Sequence, residues 1–404
     1  MKTITELKKL AGKTVLLRVA YDVPLKQKGK GWVVADDRRI KETLPTIRFL
    51  LKNNCKIVIL SWLGRPSGKV VEKLKMNPVA KSLSKILKKP VKKIDDCIGP
   101  IVSRAMADLK PGQILMLENV RFHPEEEKND KKFSQELIKG IDLIVFDAFA
   151  QAHRIHSSTT GITSLLPTYA GLLLERELNF FNQVMTKPRR PFVAILGGAK
   201  ISDKIAAIEN LAKTADKILI AGGCANVFLK AKGCSVGKSF LEDVFVDKAK
   251  RKKVDFVLLA KKLLAKYPKK IILPVDLLSA DHVEARAKTK MVNLAGEKIK
   301  DGWTFLDIGP QTTDIFLTEI KKAKTVLWNG PMGMFELDQF AQGTKRVAEG
   351  IAKTKTLSII GGGDTEIVAA KYKLEKKFTH ISTGGGAMLD YLGTGKLPGI
   401  KALK

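Results

Sequence analysis

Short apolar runs recur along the chain, and segments with the amphipathic spacing of helices separate them. In chain order the runs are TVLLRVAYDV, KIVILSWL, GQILMLENV, IDLIVFDAF, PFVAILGG, KILIAGG, KKIILPV, TVLWNGP and TLSIIGGG. Buried strands that alternate with helices are typical of parallel sheets in α/β proteins. The runs fall into two sets, the second of which begins at PFVAILGG. The pattern therefore predicts an α/β protein with two doubly wound, mainly parallel-sheet domains.

The segment between the two sets, residues 166–191, has the apolar spacing of a single helix. Its apolar side chains fit one helical face: Leu174, Leu178, Phe181 and Met185. The helix is expected to end before Lys187-Pro188, because proline disfavours helical backbone at the residue before it. We assign residues 1–170 to an N-terminal domain, 171–186 to a connecting helix or hinge and 187–390 to a C-terminal domain. Residues 391–404 form a tail that is expected to pack back on the N-terminal domain.

Glycine-rich turns follow several strands of the second set. They are Gly197-Gly198-Ala199-Lys200, Gly222-Gly223, Asn329-Gly330-Pro331-Met332-Gly333, Gly361-Gly362-Gly363 and Gly384-Gly385-Gly386. In open α/β sheets, ligands bind outside the carboxyl ends of the strands. Several such turns at one edge predict a ligand of nucleotide size.

One of these turns, in SIIGGGDTEIV (358–368), has the pattern of an anion site. Glycines allow close approach of a ligand to the backbone, and a following helix presents free N–H groups at its positive end. Asp364 and Thr365 are expected to cap that helix, and Asp364 is also a suitable ligand for hydrated Mg²⁺. An ordinary strand-to-helix turn is the alternative, although the composition favours phosphate binding.

Composition narrows the class of protein. The chain of 404 residues is 45% apolar, has no run of membrane-spanning length and begins MKTITELKKLAGKT, which lacks a signal-peptide core. The four cysteines have neither metal-ligand nor disulfide-framework spacing, and the five histidines form no zinc cluster. These features predict a soluble protein of the reducing cytoplasm with no membrane partner.

The net charge of +31 is high enough to raise the question of nucleic-acid binding. Most of the excess is lysine in scattered pairs such as Lys88-Lys89 and Lys269-Lys270, without interleaved aromatic residues. This distribution favours a solvated surface, suits a small anionic substrate and predicts no specific nucleic-acid partner.

The segment KGCSVGKS (232–239) resembles a phosphate-binding P-loop but has the wrong spacing. Only three residues separate Gly233 from Gly237, whereas the P-loop requires four. We therefore interpret Lys238 as an ordinary loop lysine.

Several longer motifs follow one another along the chain: LENVRFHPEE (117–126), DAFAQAHRIHSS (147–158), ILGGAKISDKI (195–205), LDIGPQT (306–312), WNGPMGMFE (328–336), GGGDT (361–365) and STGGGA (382–387). In this order they resemble the motifs of the phosphoglycerate kinase family. The resemblance implies two domains facing each other across a cleft, with 3-phosphoglycerate on the N-terminal domain and the Mg-nucleotide on the C-terminal one. It further implies reversible phosphoryl transfer between ATP and a substrate carboxylate, Mg²⁺ as the cofactor ion, and a monomer.

The resemblance also assigns roles to residues of the C-terminal domain. Lys200 is expected to contact the transferring phosphoryl group and Lys204 the nucleotide phosphates. Asp364 is expected to hold Mg²⁺, and Glu336 to accept the ribose hydroxyls. The nucleotide-binding set that the resemblance implies is Gly198, Lys200, Lys204, Gly222, Asn329, Pro331, Glu336, Gly362, Gly363, Asp364 and Thr365. The implied catalytic set is Arg39, Lys200, Gly363 and Gly385.

In the N-terminal domain the resemblance points to arginines, whose planar fork suits oxyanions. Arg39 matches the family's catalytic arginine, whereas Arg38 occupies a non-arginine position. The implied substrate-binding set is Asp22, Arg39, Trp62, Arg65, Arg121 and Arg154. His153 and His156, which flank Arg154, are given a minor positioning role.

The acceptor motifs depart from the family pattern at several positions. The family's Arg-Val-Asp-Phe-Asn-Val-Pro reads Arg-Val-Ala-Tyr-Asp-Val-Pro here, with Ala20 in place of the acid and Asp22 in place of the amide. Trp62 replaces a histidine, and Ala150 and Gln151 replace Gly-Thr. Asp22 would repel a substrate carboxylate unless it is protonated or paired with Arg39.

Three interpretations follow from these departures. The favoured one is a phosphoglycerate kinase that keeps its reaction through its arginines. The second is a kinase of the same architecture that acts on a different small acid. The third is a nucleotide-binding protein without turnover, which the retained Lys200, Asp364 and Arg39 argue against.

Overall fold

The computed structural model describes residues 2–29, 31–247, 252–401 and 403. Within these residues the chain divides into two compact units. Unit 1 comprises Met1–Asn179 together with Lys396–Lys404, and unit 2 comprises Phe180–Gly395.

Unit 1 is built on a parallel sheet with strand order β5-β6-β4-β1-β7-β8. Its strands, which include an antiparallel β2–β3 hairpin, are β1 (Thr14–Val19), β2 (Leu25–Lys28), β3 (Gly31–Val34), β4 (Lys56–Leu60), β5 (Lys92–Lys93), β6 (Ile114–Met116), β7 (Leu143–Asp147) and β8 (Thr168–Ala170). Its helices are α1 (Arg38–Glu42), α2 (Leu44–Lys52), α3 (Asn77–Leu87), α4 (Pro100–Ala107), α5 (Glu125–Lys128) and α6 (Lys131–Leu137).

Alternation along β1 shows why this sheet is buried on both faces. Val15, Leu17 and Val19 pack into one apolar cluster, whereas Leu16 packs into another. Successive side chains of a strand point to opposite faces, so a continuous apolar run is what a sheet covered by helices on both sides requires.

Helix α7 (Leu172–Thr186) lies in the segment predicted to connect the domains, and the division between the units falls within it. Leu174, Leu178 and Phe181 on its predicted apolar face are buried.

Unit 2 contains a second parallel sheet, with order β13-β10-β9-β17-β18-β19. Its strands are β9 (Phe192–Leu196), β10 (Lys217–Ile220), β11 (Val244–Asp247), β12 (Lys252–Asp255), β13 (Ile271–Ile272), β14 (Asp276–Ala280), β15 (Thr289–Asn293), β16 (Thr304–Ile308), β17 (Thr325–Asn329), β18 (Leu357–Gly361) and β19 (His380–Ser382). Its helices are α8 (Ile205–Thr214), α9 (Gly222–Ala231), α10 (Phe256–Lys266), α11 (Pro310–Lys322), α12 (Gln342–Ala352), α13 (Gly363–Lys371) and α14 (Gly386–Thr394).

The prediction of an α/β protein with two parallel sheets is confirmed. The antiparallel pairs β11–β12 and β14–β15–β16 were not predicted. The short helix α15 (Pro398–Lys401) follows in the tail, where the Gly399 N–H donates to the Ala152 carbonyl at 2.8 Å, while residues 402 and 404 lie outside the described residues. Among the described helices, none has the length and apolar character needed to cross a bilayer.

Candidate active site

The glycine turns of unit 2 hold the carboxyl ends of neighbouring strands together through backbone contacts. The Gly198 N–H donates to the Pro331 carbonyl at 2.8 Å, and the Gly222 N–H donates to the Met332 carbonyl at 3.1 Å. Gly222 has φ of 62°, and a Cβ there would meet the Gly198 nitrogen at 2.8 Å. A side chain at this position would therefore be strained and would clash. The turns after β9, β10 and β17 thus form one continuous edge.

This edge borders a cavity of about 560 Å³ within unit 2. Its wall includes predicted nucleotide-binding residues, namely Gly198, Gly222, Pro331, Glu336 and Asp364. Apolar residues that the sequence analysis did not single out also line it, among them Phe240, Leu277, Val283 and Met334. An apolar chamber with a few convergent polar groups is the usual form of a small-molecule site.

Lys238 also lines this cavity. The loop is anchored next to β16 because the Lys238 N–H donates at 2.7 Å to the carbonyl of Trp303, the residue before that strand. Lys238 does lie in a loop, as the sequence predicts, and this loop borders the cavity. The local sequence does not predict the position of Lys238 on the cavity wall, because that position depends on the packing of two segments that are distant in sequence.

Two lysines follow the Gly197-Gly198 turn in different environments. Lys200 is exposed, whereas Lys204 is only 8% exposed and immediately precedes α8. A Cβ at Gly198 would lie 3.4 Å from the Lys204 Nζ, so the ammonium group sits against the glycine turn. Among the described residues, Lys204 makes no ion pair with an acid. Buried ammonium groups are normally paired, so this one is suited to an anionic ligand.

The turn between β18 and α13 differs from the prediction in one respect. Gly362, with φ of 102°, is the N-cap of α13, and Asp364 lies inside the first helical turn. The expectation that Asp364 or Thr365 caps the helix was wrong, because glycine can adopt the required backbone conformation. The exposed Asp364 carboxylate contacts no described residue through a hydrogen bond or ion pair.

Thr365 and Asn329 tie this turn to β17. The fully buried Thr365 hydroxyl accepts a hydrogen bond from the Gly330 N–H at 2.7 Å. The Asn329 Nδ2 donates to the Gly361 carbonyl at 2.7 Å. By contrast, Gly363 and Gly385 stand at or next to the starts of α13 and α14, and a Cβ at either would meet nothing within 4 Å. Space above a helix N-terminus is what a bound anion needs.

Asp307 is a buried acid on the wall of the cavity. It accepts hydrogen bonds from the Gly343 N–H at 2.8 Å and the Ile308 N–H at 2.9 Å. Burial raises the pKa of Asp307 to about 7, against the effect of these N–H donors. The charge of this carboxyl group on the cavity wall therefore changes with pH around neutrality.

In unit 1, Arg39 lies in α1 beside the loop that follows β1. It is half-buried, and its Nη1 donates to the main-chain carbonyl of Asp22 at 2.8 Å. The Asp22 carboxylate itself accepts the Gly64 N–H at 2.8 Å. Arg39 therefore positions the backbone of Asp22, and the side-chain pairing considered above is not formed.

Trp62 is the centre of a second group of contacts in unit 1. Its ring is 3% exposed, and the guanidinium carbons of Arg18 and Arg121 lie 4.5 and 4.1 Å from the ring centroid. Cation–π contacts contribute ~0.5–1 kcal/mol at exposed sites and about 2 kcal/mol or more when desolvated. Trp62 thus faces two arginines and is almost closed to solvent.

Arg121 connects the two groups of contacts. Its Nη1 donates to the Gly64 carbonyl at 2.9 Å, and its Nε lies 3.3 Å from a carboxylate oxygen of Glu127. Burial lowers the pKa of Arg121, while the charges of Glu127 and Asp22 act in the opposite direction. Arg39, Asp22, Gly64 and Arg121 therefore form a continuous series of contacts.

The remaining predicted residues of unit 1 lie around this series. Arg65 and Arg154 are exposed, and the Arg154 charge acts on Arg121. Burial lowers the pKa of both His153 and His156 to about 4, so both rings are neutral at pH 7. Gln151, one of the departures from the family pattern, is 3% exposed, and its amide atoms have no hydrogen-bond partner among the described residues.

Comparison with known proteins gives the same family along nearly the whole chain. The family model described as phosphoglycerate kinase matches residues 4–396. The phosphoglycerate kinase of Pelotomaculum thermopropionicum is 45% identical, over 100% of this chain and 98% of the relative. That of Moorella thermoacetica is 46% identical, over 98% and 97% respectively.

Solved structures agree with the sequence comparisons. The structure of phosphoglycerate kinase from Coxiella burnetii matches with a TM-score of 0.83 and 34% identity, covering 99% of this chain and 97% of that chain. The enzyme from Pyrococcus horikoshii OT3 matches with a TM-score of 0.84 and 33% identity, covering 100% and 98%.

Proposed function

The chain belongs to the phosphoglycerate kinase family, and from this premise we propose that it transfers a phosphoryl group reversibly between ATP and the carboxylate of 3-phosphoglycerate. Unit 2 binds the nucleotide, and unit 1 binds the acceptor. The observation that carries the proposal is the buried Lys204 ammonium, which has no acidic partner in the described chain and lies against the Gly198 turn.

The nucleotide phosphates are proposed to bind at the glycine turns. Lys204 and the free N–H groups at the start of α13 supply positive charge, and the exposed Lys200 meets the transferring group. The base occupies the apolar part of the cavity, and Glu336 on its wall accepts the ribose hydroxyls. Asn329 and Thr365 shape the turn through their hydrogen bonds to its backbone.

Asp364 fits the role of a Mg²⁺ ligand. Its carboxylate is exposed, lines the cavity and is not committed to any described partner. Mg²⁺ in kinases is commonly held by one or two carboxylates together with substrate phosphates. When bound, the ion would neutralise charge on the phosphate oxygens.

The acceptor is proposed to bind to the arginines of unit 1. A carboxylate is already ionised at pH 7, so the reaction needs no general base and depends on alignment and neutralisation of the phosphoryl oxygens. Arg39 serves the transferring group, while Arg65, Arg121 and Arg154 serve the substrate phosphate. The Gly64 N–H neutralises part of the Asp22 charge, which eases the approach of a second carboxylate.

A coupled assay with Mg-ATP and 3-phosphoglycerate tests the proposal directly, scoring 1,3-bisphosphoglycerate as the product. We expect turnover that saturates with both substrates. Tight Mg-ADP binding without turnover would contradict the proposal and would leave a nucleotide-binding protein.

A second candidate is a kinase of this architecture with a different small acid as acceptor. The observation that favours it is a pair of departures from the family pattern: Ala20 stands in place of an acid and Trp62 in place of a histidine. Both residues are nearly closed to solvent, at 6% and 3% exposure. A panel of small phosphorylated and unphosphorylated carboxylic acids in the same assay separates the two. A higher kcat/KM for another acid would favour this candidate.

Gly363 offers a test of the phosphate site that does not disturb the fold. Replacing it with alanine introduces a Cβ that meets no protein atom within 4 Å, at a position already inside α13. We expect an unchanged melting temperature but a KM for Mg-ATP that rises about 10-fold, because the methyl group occupies the space of the phosphate. Gly222→Ala is the contrasting variant, since its Cβ meets backbone at 2.8 Å and should lower stability. An unchanged KM in Gly363→Ala would contradict the placement of the phosphates.

We also propose that the protein is a cytoplasmic monomer. All the cysteines are unpaired thiols, which is the usual state in a reducing compartment. Light scattering of the purified protein would test the monomer.

A further inference from the structure

The contacts of the Trp62 ring in unit 1 are not only those of an apolar core residue. It belongs to an apolar cluster, yet its ring also faces the guanidinium groups of Arg18 and Arg121 and the imidazole of His156, whose centroid is 5.3 Å away. Tryptophan offers the most favourable aromatic face for a cation. The ring is therefore shared by two cations rather than by apolar groups alone.

Three contacts restrain the guanidinium group of Arg121. The Trp62 ring covers its face, the Gly64 carbonyl binds Nη1, and the Glu127 carboxylate lies next to Nε. Its remaining nitrogen, Nη2, has no hydrogen-bond partner among the described residues. Those N–H groups are therefore presented in a set direction, and they are the ones able to bind an oxyanion.

Arg18 supports the ring from within the unit. It is fully buried, and its Nε donates to the carbonyl and the hydroxyl of Ser158, each at 3.0 Å. Its Nη2 is buried without a hydrogen-bond partner, so the Trp62 ring and the nearby Glu126 charge are what compensate the cation there. Arg18 and Arg121 thus both contact the Trp62 ring, and the hydrogen bonds to Ser158 hold Arg18 in place.

We propose that Trp62 is a positioning residue of the acceptor site, which uses its aromatic face to hold Arg121 in the orientation that binds the phosphate group of the acceptor. The identity of the acceptor rests on the proposed function, whereas the orientation of Arg121 rests on the contacts themselves.

The test compares Trp62→Phe with Trp62→Leu in the full chain. Phenylalanine keeps an aromatic face, whereas leucine keeps only apolar volume. We expect Trp62→Leu to raise the KM for 3-phosphoglycerate about 10-fold with the KM for Mg-ATP within about 2-fold, and Trp62→Phe to stay within about 3-fold for both. Trp32→Phe is the matched control, because Trp32 makes its own cation–π contact with Lys73 at 4.5 Å, and it should change neither KM.

Tryptophan fluorescence gives a second measurement, which a purely structural role of Trp62 would leave unaffected by the acceptor. The difference in emission between the parent and Trp62→Phe isolates Trp62, and we expect that difference to respond to 3-phosphoglycerate. The proposal is overturned if leucine and phenylalanine raise the KM equally, if neither raises it, or if the KM values of both substrates rise together with a fall in melting temperature.

Failure of the proposed function is recognised separately, by a parent chain that shows no turnover of 3-phosphoglycerate. The inference is then judged by titrating the parent, Trp62→Phe and Trp62→Leu with inorganic phosphate. Weaker phosphate binding in the leucine variant alone supports it, and equal binding in all three overturns it.

Discussion

Replacing Arg39 with alanine is expected to lower kcat for phosphoryl transfer by about 10³-fold, the largest loss we predict for this protein. The side chain makes one hydrogen bond, from Nη1 to the Asp22 carbonyl, and the rest of the guanidinium has no described partner. The charge is thus held in place and yet available to the transferring phosphoryl group. Since one hydrogen bond contributes about 1 kcal/mol, the fold should be little affected. Steady-state kinetics with 3-phosphoglycerate and Mg-ATP, together with thermal unfolding, measure both effects.

The neighbouring Arg38 provides a matched control. It lies in the same helix, but its Nε donates to the Asp36 carboxylate at 2.7 Å. Because surface ion pairs contribute little, Arg38→Ala should leave kcat within about 2-fold of the parent. Equal losses in the two variants would mean that the helix, and not the charge of Arg39, is what turnover requires.

Lys204→Met is expected to separate stability from activity. Lys204 is buried and has no acidic partner in the described chain, so its charge is costly in the absence of a ligand. Methionine fills similar volume without charge, and the ligand-free protein should be as stable as the parent or more stable by about 1 kcal/mol. The nucleotide phosphates lose their buried counter-charge, however, and kcat/KM for Mg-ATP should fall about 10²-fold or more.

Lys213→Met, within the helix α8 that Lys204 precedes, serves as the control. Lys213 is exposed and donates to the Asn210 side chain at 3.3 Å. Neither its melting temperature nor its kinetics should change, and Mg-ADP titration by calorimetry should give the parent affinity. If Lys204→Met instead unfolds at a lower temperature with unchanged nucleotide affinity, the ammonium group is part of the fold and does not bind phosphate.

The core strands of both sheets could be predicted because each is a continuous apolar run, which is the pattern of a strand covered on both faces. The antiparallel strands β14 to β16 were missed because they are not continuous apolar runs: β14 contains Asp276 and Ser279, and β15 is mostly exposed. Pairing between distant strands depends on contacts that a local pattern does not contain.

The candidate site divides in a similar way. Motif order identified the turns around Gly198, Gly330 and Asp364, because close backbone contact tolerates only glycine at particular positions. Three features could not be predicted, since each arises from segments distant in sequence. They are the position of Lys238 on the cavity wall, the burial of Lys204 and the hydrogen bond from Arg39 to the Asp22 carbonyl.

The sequence by itself determined the fold class, the family and the positions of the glycine turns, because periodicity and backbone sterics are local properties that residue order encodes directly. Only the tertiary structure decided which charges are buried, which are paired and what Trp62 contacts. Those properties depend on solvent exclusion and on side chains brought together from separate elements, and neither exists until the chain is packed.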